Sequence, residues 1–267
     1  MKKCLNIYFI LFSLSIFIIS CSTVPITGRK QLNLIPSGEL LSMSYQQYDQ
    51  FLKENKVSKN QQQTEMVKRV GGNIKLAVEK YFREKGLSNE LKDYQWEFNL
   101  VESNEVNAWC MPGGKVVFYE GILPICRDEN GIAVVMGHEV AHAIAEHGNE
   151  RMSQGLLAQL GGVALSEALK EKPQQTQQLW MTAYGLGAQV GVLLPFSRTQ
   201  ESEADRLGLI FMSIAGYNPN GSVEFWQRMA QQGGAQPPEF LSTHPAHETR
   251  INDIKKHIPE AMKYYKK

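Results

Sequence analysis

The sequence predicts an α+β fold that is mainly helical, with a small mixed or antiparallel sheet beside one buried helix. Three observations predict it. Val67, Val70, Ile74, Val78 and Tyr81 recur at helical spacing. Trp96, Phe98 and Leu100 alternate with Glu97 and Asn99, the period of a strand with one buried face. Gly131 to Gly148 reads GIAVVMGHEVAHAIAEHG, and its apolar residues Val134, Val135, Met136, Val140, Ala141, Ile144 and Ala145 surround a helix on nearly every side, which marks it as buried.

In chain order, residues 1–20 read as a separate segment. Lys2 and Lys3 precede an apolar run from Leu5 to Ile19, and Ser20 stands before Cys21, the layout of a secretory signal. The run is shorter than the roughly 20 apolar residues that a spanning helix needs. Small residues directly before a cysteine resemble the bacterial lipobox, which implies acylation of Cys21; the alternative is an uncleaved anchor. Ser22, rather than Asp, after that cysteine resembles the sorting pattern of Gram-negative outer-membrane lipoproteins. The expected location is therefore the outer membrane, facing the periplasm, with a lipid anchor at Cys21. Removing residues 1–20 leaves 26 basic against 27 acidic residues. Such a balance creates no field for nucleic acid, so none is expected as a partner.

Residues 21–36 are rich in turn formers and read as a tether, followed by a domain over 37–257 and a tail over 258–267. Helices are expected over about 37–55 and 61–85, and strands over about 95–101, 107–109 and 114–119, the last two separated by Pro112-Gly113-Gly114. Asn107, Ala108 and Trp109 are the candidate open edge, where an extended substrate could add as a further strand; an ordinary hairpin over the core is the alternative. Cys110 and Cys126 either pair as a disulfide or stay as buried thiols, since spacing does not bring Cα atoms within bridging distance. After Gly148 the chain reads as helical to about Leu194, interrupted at Lys172-Pro173. Its small-residue stretch over 183–192 reads as a close-packed helix, or as a lid or membrane-facing patch.

The chemistry starts at His138, Glu139 and His142, in the pattern H-E-x-x-H. Positions i and i+4 share a helical face, so both imidazoles can reach one metal ion, with Glu139 beside the open position to deprotonate a water there. A third His ten positions after the first would be Gly148, which excludes the three-His class. Further on, ESEAD places Glu201 and Asp205 one turn apart on one face, with Glu203 pointing elsewhere. Alone, this stretch reads as a solvated acidic face. Next to an H-E-x-x-H helix it also supplies a carboxylate ligand and a second carboxylate that can hold a ligand imidazole.

HEVAH, ESEADRLG beginning 59 positions after His142, and Ser242-Thr243-His244-Pro245 together resemble the gluzincin peptidases of metallopeptidase family 48. The layout is most similar to the periplasmic lipoprotein zinc peptidases of the LoiP, YcaL and BepA type, and the resemblance covers about residues 22–257. It implies a zincin domain holding one zinc ion through His138, His142 and Glu201, with Glu139 as general base. It also implies Asp205 as a supporting carboxylate often given as proton donor, and Arg250 paired with a carboxylate nearby. His244 would lie at the open zinc position, either stabilising an oxyanion or closing the site as a fourth ligand. The implied activity is endopeptidase cleavage of misfolded or stalled envelope polypeptides, with the outer-membrane assembly machinery as a possible partner. A non-catalytic zinc-binding chaperone is the alternative.

Overall fold

The computed structural model describes residues 21–189, 194–232, 238–245 and 248–266. The expected signal segment, His247 and the end of the 183–192 stretch lie outside them. The chain forms two compact units, one from the described residues up to Leu40 with Glu146–Ser197, the other from Leu41–Ala145 with Arg198 onward.

The second unit carries the α+β core. Helix α1 (Ser37–Glu54) begins in the first unit, and its Tyr48, Phe51 and Leu52 belong to the second, where they pack on Val101, Val117 and Tyr119 of the sheet. Helix α2 (Gln61–Glu84) is capped by Asn60, whose side chain accepts a 3.1 Å bond from the Gln63 amide. Its stripe of Val67, Val70, Ile74, Val78 and Tyr81 is buried, as its spacing predicts. Three strands follow: β3 (Glu97–Val101), β4 (Ala108–Met111) and β5 (Lys115–Tyr119). The sheet order is β3-β5-β4, with β5 parallel to β3 and antiparallel to β4, so the sheet is mixed. The tight β4–β5 turn needs Gly113 and Gly114, which both take positive φ, 84° and 83°.

A short helix α3 (Leu123–Cys126) leads into α4 (Glu129–Ile144), where every residue from Gly131 to Ile144 is buried. The helix ends four residues before Gly148 because Glu146 reverses the chain at φ 54°. His147 opens the next helix and is fully buried. Helix α7 (Leu194–Ile214) buries Ala204, Leu207, Ile210 and Phe211. Helix α8 (Gly221–Gln231) packs against α4, and the short α9 (Glu239–Thr243) and α10 (Glu248–Ala261) complete the unit. The expected tail is partly core, since Ala261 is buried and Tyr264 meets Tyr81 with ring centroids 5.9 Å apart.

In the first unit, the segment read as a tether forms an antiparallel hairpin of β1 (Cys21–Thr23) and β2 (Lys30–Leu32). The hairpin is tied to the start of α5 (His147–Leu169). Arg29 makes two 2.8 Å bonds to the buried Glu150, the Leu34 amide donates to Ser153 Oγ, and Asn149 donates to the Ile35 carbonyl. Helix α6 (Gln174–Ala188) lies on α5, with Tyr184 Oη donating to the Ala158 carbonyl at 2.8 Å. No helix among the described residues is long and apolar enough to cross a membrane.

Candidate metal centre

The site is built where α4 crosses α7. The crossing is made by two glycines, Gly137 and Gly208. A Cβ on Gly208 would lie 2.8 Å from the Gly137 carbonyl carbon and from the His138 amide nitrogen, and a Cβ on Gly137 would lie 2.7 Å from the Gly208 oxygen. Backbone therefore touches backbone, and the side chains one residue on from Gly137 and three before Gly208 meet. Helix α4 is fixed at its start by Asp128, which accepts from the Gly131 amide at 2.9 Å.

Four buried side chains converge there: His138 and His142 from α4, Glu201 from α7, and His244 from the C-cap of α9. His138 Nε2 lies 3.0 Å from His142 Nε2, 3.1 Å from His244 Nδ1 and 3.4 Å from Glu201 Oε2. Glu201 Oε1 lies 3.1 Å from His142 Nε2 and 3.0 Å from His244 Nδ1. Nitrogen and carboxylate donors bound to zinc at about 2.0–2.1 Å stand roughly 3.3 Å apart across a tetrahedron, so these separations suit one such ion.

Asp205, one turn beyond Glu201, reaches His138 Nδ1 at 2.9 Å. That contact puts the ring proton on Nδ1 and aims the bare lone pair of Nε2 into the cluster. Arg250 of α10 holds Asp205 with two bonds of 2.8 Å and reaches Glu201 Oε2 at 3.1 Å and the Pro245 carbonyl at 3.3 Å. Its guanidinium lies 3.5 Å from the centroid of the Trp226 ring. Three carboxylates, Glu139, Glu201 and Asp205, thus stand against one guanidinium, and a divalent cation would cancel the difference.

The electrostatics agree. Burial disfavours the charged form of Glu201, but the imidazoles of His142, His138 and His244 outweigh it and hold the carboxyl far below the usual range. Asp205 is likewise disfavoured by burial and still lowered, chiefly by Arg250 and then by His138. Burial and Arg250 push the His138 imidazole down, yet Asp205 and Glu201 prevail and raise it to about 9. The cluster attracts positive charge at its centre, and its two ring nitrogens, carboxylate and third imidazole are donors that zinc takes.

Glu139 faces the same space. Its Oε1 is buried without a hydrogen bond and lies 3.4 Å from His244 Nε2. An orphaned carboxylate oxygen beside a cluster of metal donors is where a reacting water would be held. His244 is anchored by Phe240, a fully buried ring 4.9 Å from the imidazole and stacked on Trp226. The Phe240 amide also donates to the Val106 carbonyl, at the foot of β4.

Every residue read from the sequence as ligand, base or supporting carboxylate comes together here, and Glu203 is outside the donor group. β4 is a sheet edge and packs against α4. Ala108 and Trp109 belong to it and Asn107 immediately precedes it. Trp109 is committed to packing, edge-on to Phe51 at 4.9 Å, with Nε1 donating to Tyr119 Oη.

The disulfide reading is corrected, because both thiols are free. Cys110 sits in β4, where desolvation and then the Glu139 charge push its thiol well up. Cys126 is buried at the end of α3, where Arg228 donates to the carbonyls of Ile125 and Cys126. Reading the sequence missed Gly137, Gly208 and Trp226. Glycine inside a helix is unfavourable by about 1 kcal/mol against alanine, so two of them flanking the ligand positions were the available signal.

Comparison with known proteins adds three findings. A family model described as "Peptidase family M48" matches residues 69–258, which include all four donors and Arg250. The mitochondrial metalloendopeptidase OMA1 of Saccharomyces cerevisiae is 36% identical over 203 residues, 70% of this chain and 54% of that protein. The human metalloendopeptidase OMA1 is 30% identical over 90% of this chain and 46% of its own length, and the beta-barrel assembly-enhancing protease of Escherichia coli K12 is 28% identical over 60% and 34%. The chain spans about half the length of the first of these relatives. The mitochondrial relatives, from yeasts, a plant and vertebrates, overturn the expected location as a Gram-negative outer-membrane lipoprotein. The lipobox reading rested on a few residues around Cys21, whereas these alignments extend over 64–90% of the chain. With the family model spanning most of the domain and every metal donor inside it, the chain belongs to peptidase family M48, a family of metallopeptidases.

Proposed function

We propose that the protein is a zinc-dependent endopeptidase that cleaves extended polypeptides. His138, His142 and Glu201 would hold the zinc, with Glu139 as general base. The observation that carries the reading is the buried, unbonded Oε1 of Glu139 beside the four-donor cluster. When bound, zinc would supply Lewis acidity, lowering the pKa of a water and polarising the scissile carbonyl. Glu139 takes the proton of the attacking water and returns it to the leaving amine. Asp205 holds His138 in one tautomer, and Arg250 keeps Asp205 and Glu201 ionised. The β4 edge, at Ala108 and Trp109 with Asn107 before it, supplies backbone groups against which a substrate strand can align whatever its side chains.

His244 favours a second reading of the same site, a closed resting form. Catalytic zinc sites keep one position open, and here Nδ1 of His244 supplies a fourth protein donor. Substrate binding would then displace His244, whose Nε2 already lies beside Glu139.

The test is Glu139→Gln, assayed with an unfolded protein such as casein. The expected result is full zinc content with cleavage reduced by about 10²–10⁴-fold. His142→Ala should lose both zinc and cleavage. A zinc-loaded Glu139→Gln protein that cleaves at the wild-type rate would sink the assignment. Wild-type protein that binds zinc but cleaves nothing would favour a chaperone.

A further inference from the structure

Helices α5 and α6 hold an apolar surface that nothing in their own unit covers. Buried residues of α5 end at Gln154, and from Gly155 to Ala188 no described side chain is buried. Met152, Leu156, Leu160 and Val163, spaced by four, four and three, lie within one quadrant of α5 and are 39%, 43%, 62% and 63% exposed. On α6, Leu179 and Trp180 are 69% and 55% exposed. Between Gln154 and Gln189 the only charged residues are Glu167, in the last turn of α5, and Lys170, Glu171 and Lys172, at the turn between the helices. Exposed apolar groups in this density mark an interaction surface.

We propose that this pair of helices lies in the surface of a lipid bilayer. Two observations favour lipid over a protein partner. The quadrant carries no basic residue and one carboxylate, Glu167 near the end of α5, so it offers little charge with which to select a partner, and Trp180 has the amphipathic ring that settles at a membrane interface. The second is continuity. The uncharged apolar run from Leu5 to Ile19 directly precedes β1, and the β1–β2 hairpin is bonded to the first turns of α5 through Arg29–Glu150 and Leu34–Ser153. One unit therefore joins an apolar run in sequence to an apolar face in space. Neither α5 nor α6 is apolar enough to cross, so the pair lies on the bilayer with Leu160, Val163, Leu179 and Trp180 inserted. Without basic residues along the face, binding rests on apolar burial and not on anionic headgroups. The proposal is independent of the peptidase reading.

The test uses the full chain with phosphatidylcholine vesicles brominated in the acyl chains. Trp180 is one of four tryptophans, so its signal is the difference between wild type and Trp180→Phe. Bromine should quench that difference signal, equally at low and high salt. Leu160→Lys with Leu179→Lys, both at exposed positions, should raise the lipid concentration needed for quenching by at least about tenfold, from the lost burial of two leucines. Residues 5–19 are present in every variant, so anchoring through them does not enter the comparison. Absent quenching of Trp180, or quenching untouched by the double substitution, overturns the proposal. So does a dimer in sedimentation that the same substitution dissociates, which would assign the face to a second copy.

Discussion

Replacing Gly208 by alanine should loosen the metal site without touching a ligand. The added Cβ would lie 2.8 Å from the Gly137 carbonyl carbon and from the His138 nitrogen. Carbon atoms in contact prefer about 3.5 Å or more, so α4 and α7 must part by about 0.7 Å at the crossing. Neither obstructing atom is a side chain that can rotate away. The same displacement stretches the 2.9 Å contact between His138 and Asp205 and the 3.1 Å separation of His142 and Glu201, because each pair has one member on each helix. Overpacking of this kind costs about 1–3 kcal/mol, and alanine's better helix propensity returns at most about 1 kcal/mol. Gly72→Ala in α2 is the control, since its Cβ meets nothing within 4 Å and gains propensity alone. Denaturant unfolding of the metal-free proteins measures the strain, and competition with a chromogenic chelator measures zinc affinity. Gly208→Ala should unfold at lower denaturant and lose zinc affinity at least about tenfold, while Gly72→Ala is neutral or stabilised by up to about 1 kcal/mol. Wild-type zinc affinity in Gly208→Ala would refute the claim that the glycine crossing sets the ligand geometry.

Other outcomes follow from the same site. Arg250→Met leaves Asp205 and Glu201 buried beside each other without their cation, and loss of one member of such a set costs about 3–5 kcal/mol, read by thermal or denaturant unfolding. Arg250→Lys should recover only part of this, because an ammonium does not reproduce the two-pronged bond to Asp205 or the stack on Trp226. His244→Ala should raise basal cleavage if the resting form is closed, and a fall in cleavage would assign His244 to transition-state stabilisation instead. Removing zinc with a chelator should lower stability by about 2.7 kcal/mol relative to free zinc at a hundredfold over its Kd. In the metal-free protein Asp205 has a lowered pKa despite its burial, chiefly through Arg250, so the folded state binds fewer protons than the unfolded one. Its stabilisation is present above the ordinary carboxylate pKa, about 3.9, and is lost as pH falls through the folded value. Acid unfolding of Asp205→Asn should lack that component.

The readable parts of the site were those governed by one helix at a time. His138 with His142, and Glu201 with Asp205, are each four apart, and 3.6 residues per turn puts each pair on one face whatever surrounds it. The stripe of Val67, Val70, Ile74 and Val78 and the alternation through Phe98 and Leu100 follow from equally local periods, and both elements form where expected. Less was visible where no period applied. Residues 21–36 contain turn formers, yet Arg29, Leu34 and Ile35 find partners on α5, more than 110 residues away, and a hairpin results. After Ala145 the chain turns polar, and the breaker it offers is Gly148, so the pattern placed the helix end there and not at the reversal at Glu146, where a non-glycine residue takes positive φ.

The sequence by itself determined the chemistry: two imidazoles and a glutamate on one buried helix, and two carboxylates in phase on another. Only the tertiary structure decided that these two helices touch, at Gly137 and Gly208, and that His244 arrives from a third element with its Nδ1 among the donors. It also separated Cys110 from Cys126 and stacked Arg250 on Trp226. The reason is physical. Helical phase is set by backbone geometry within a few residues, whereas a helix crossing is set by the volumes of side chains far apart in the chain, and those volumes carry no periodic mark.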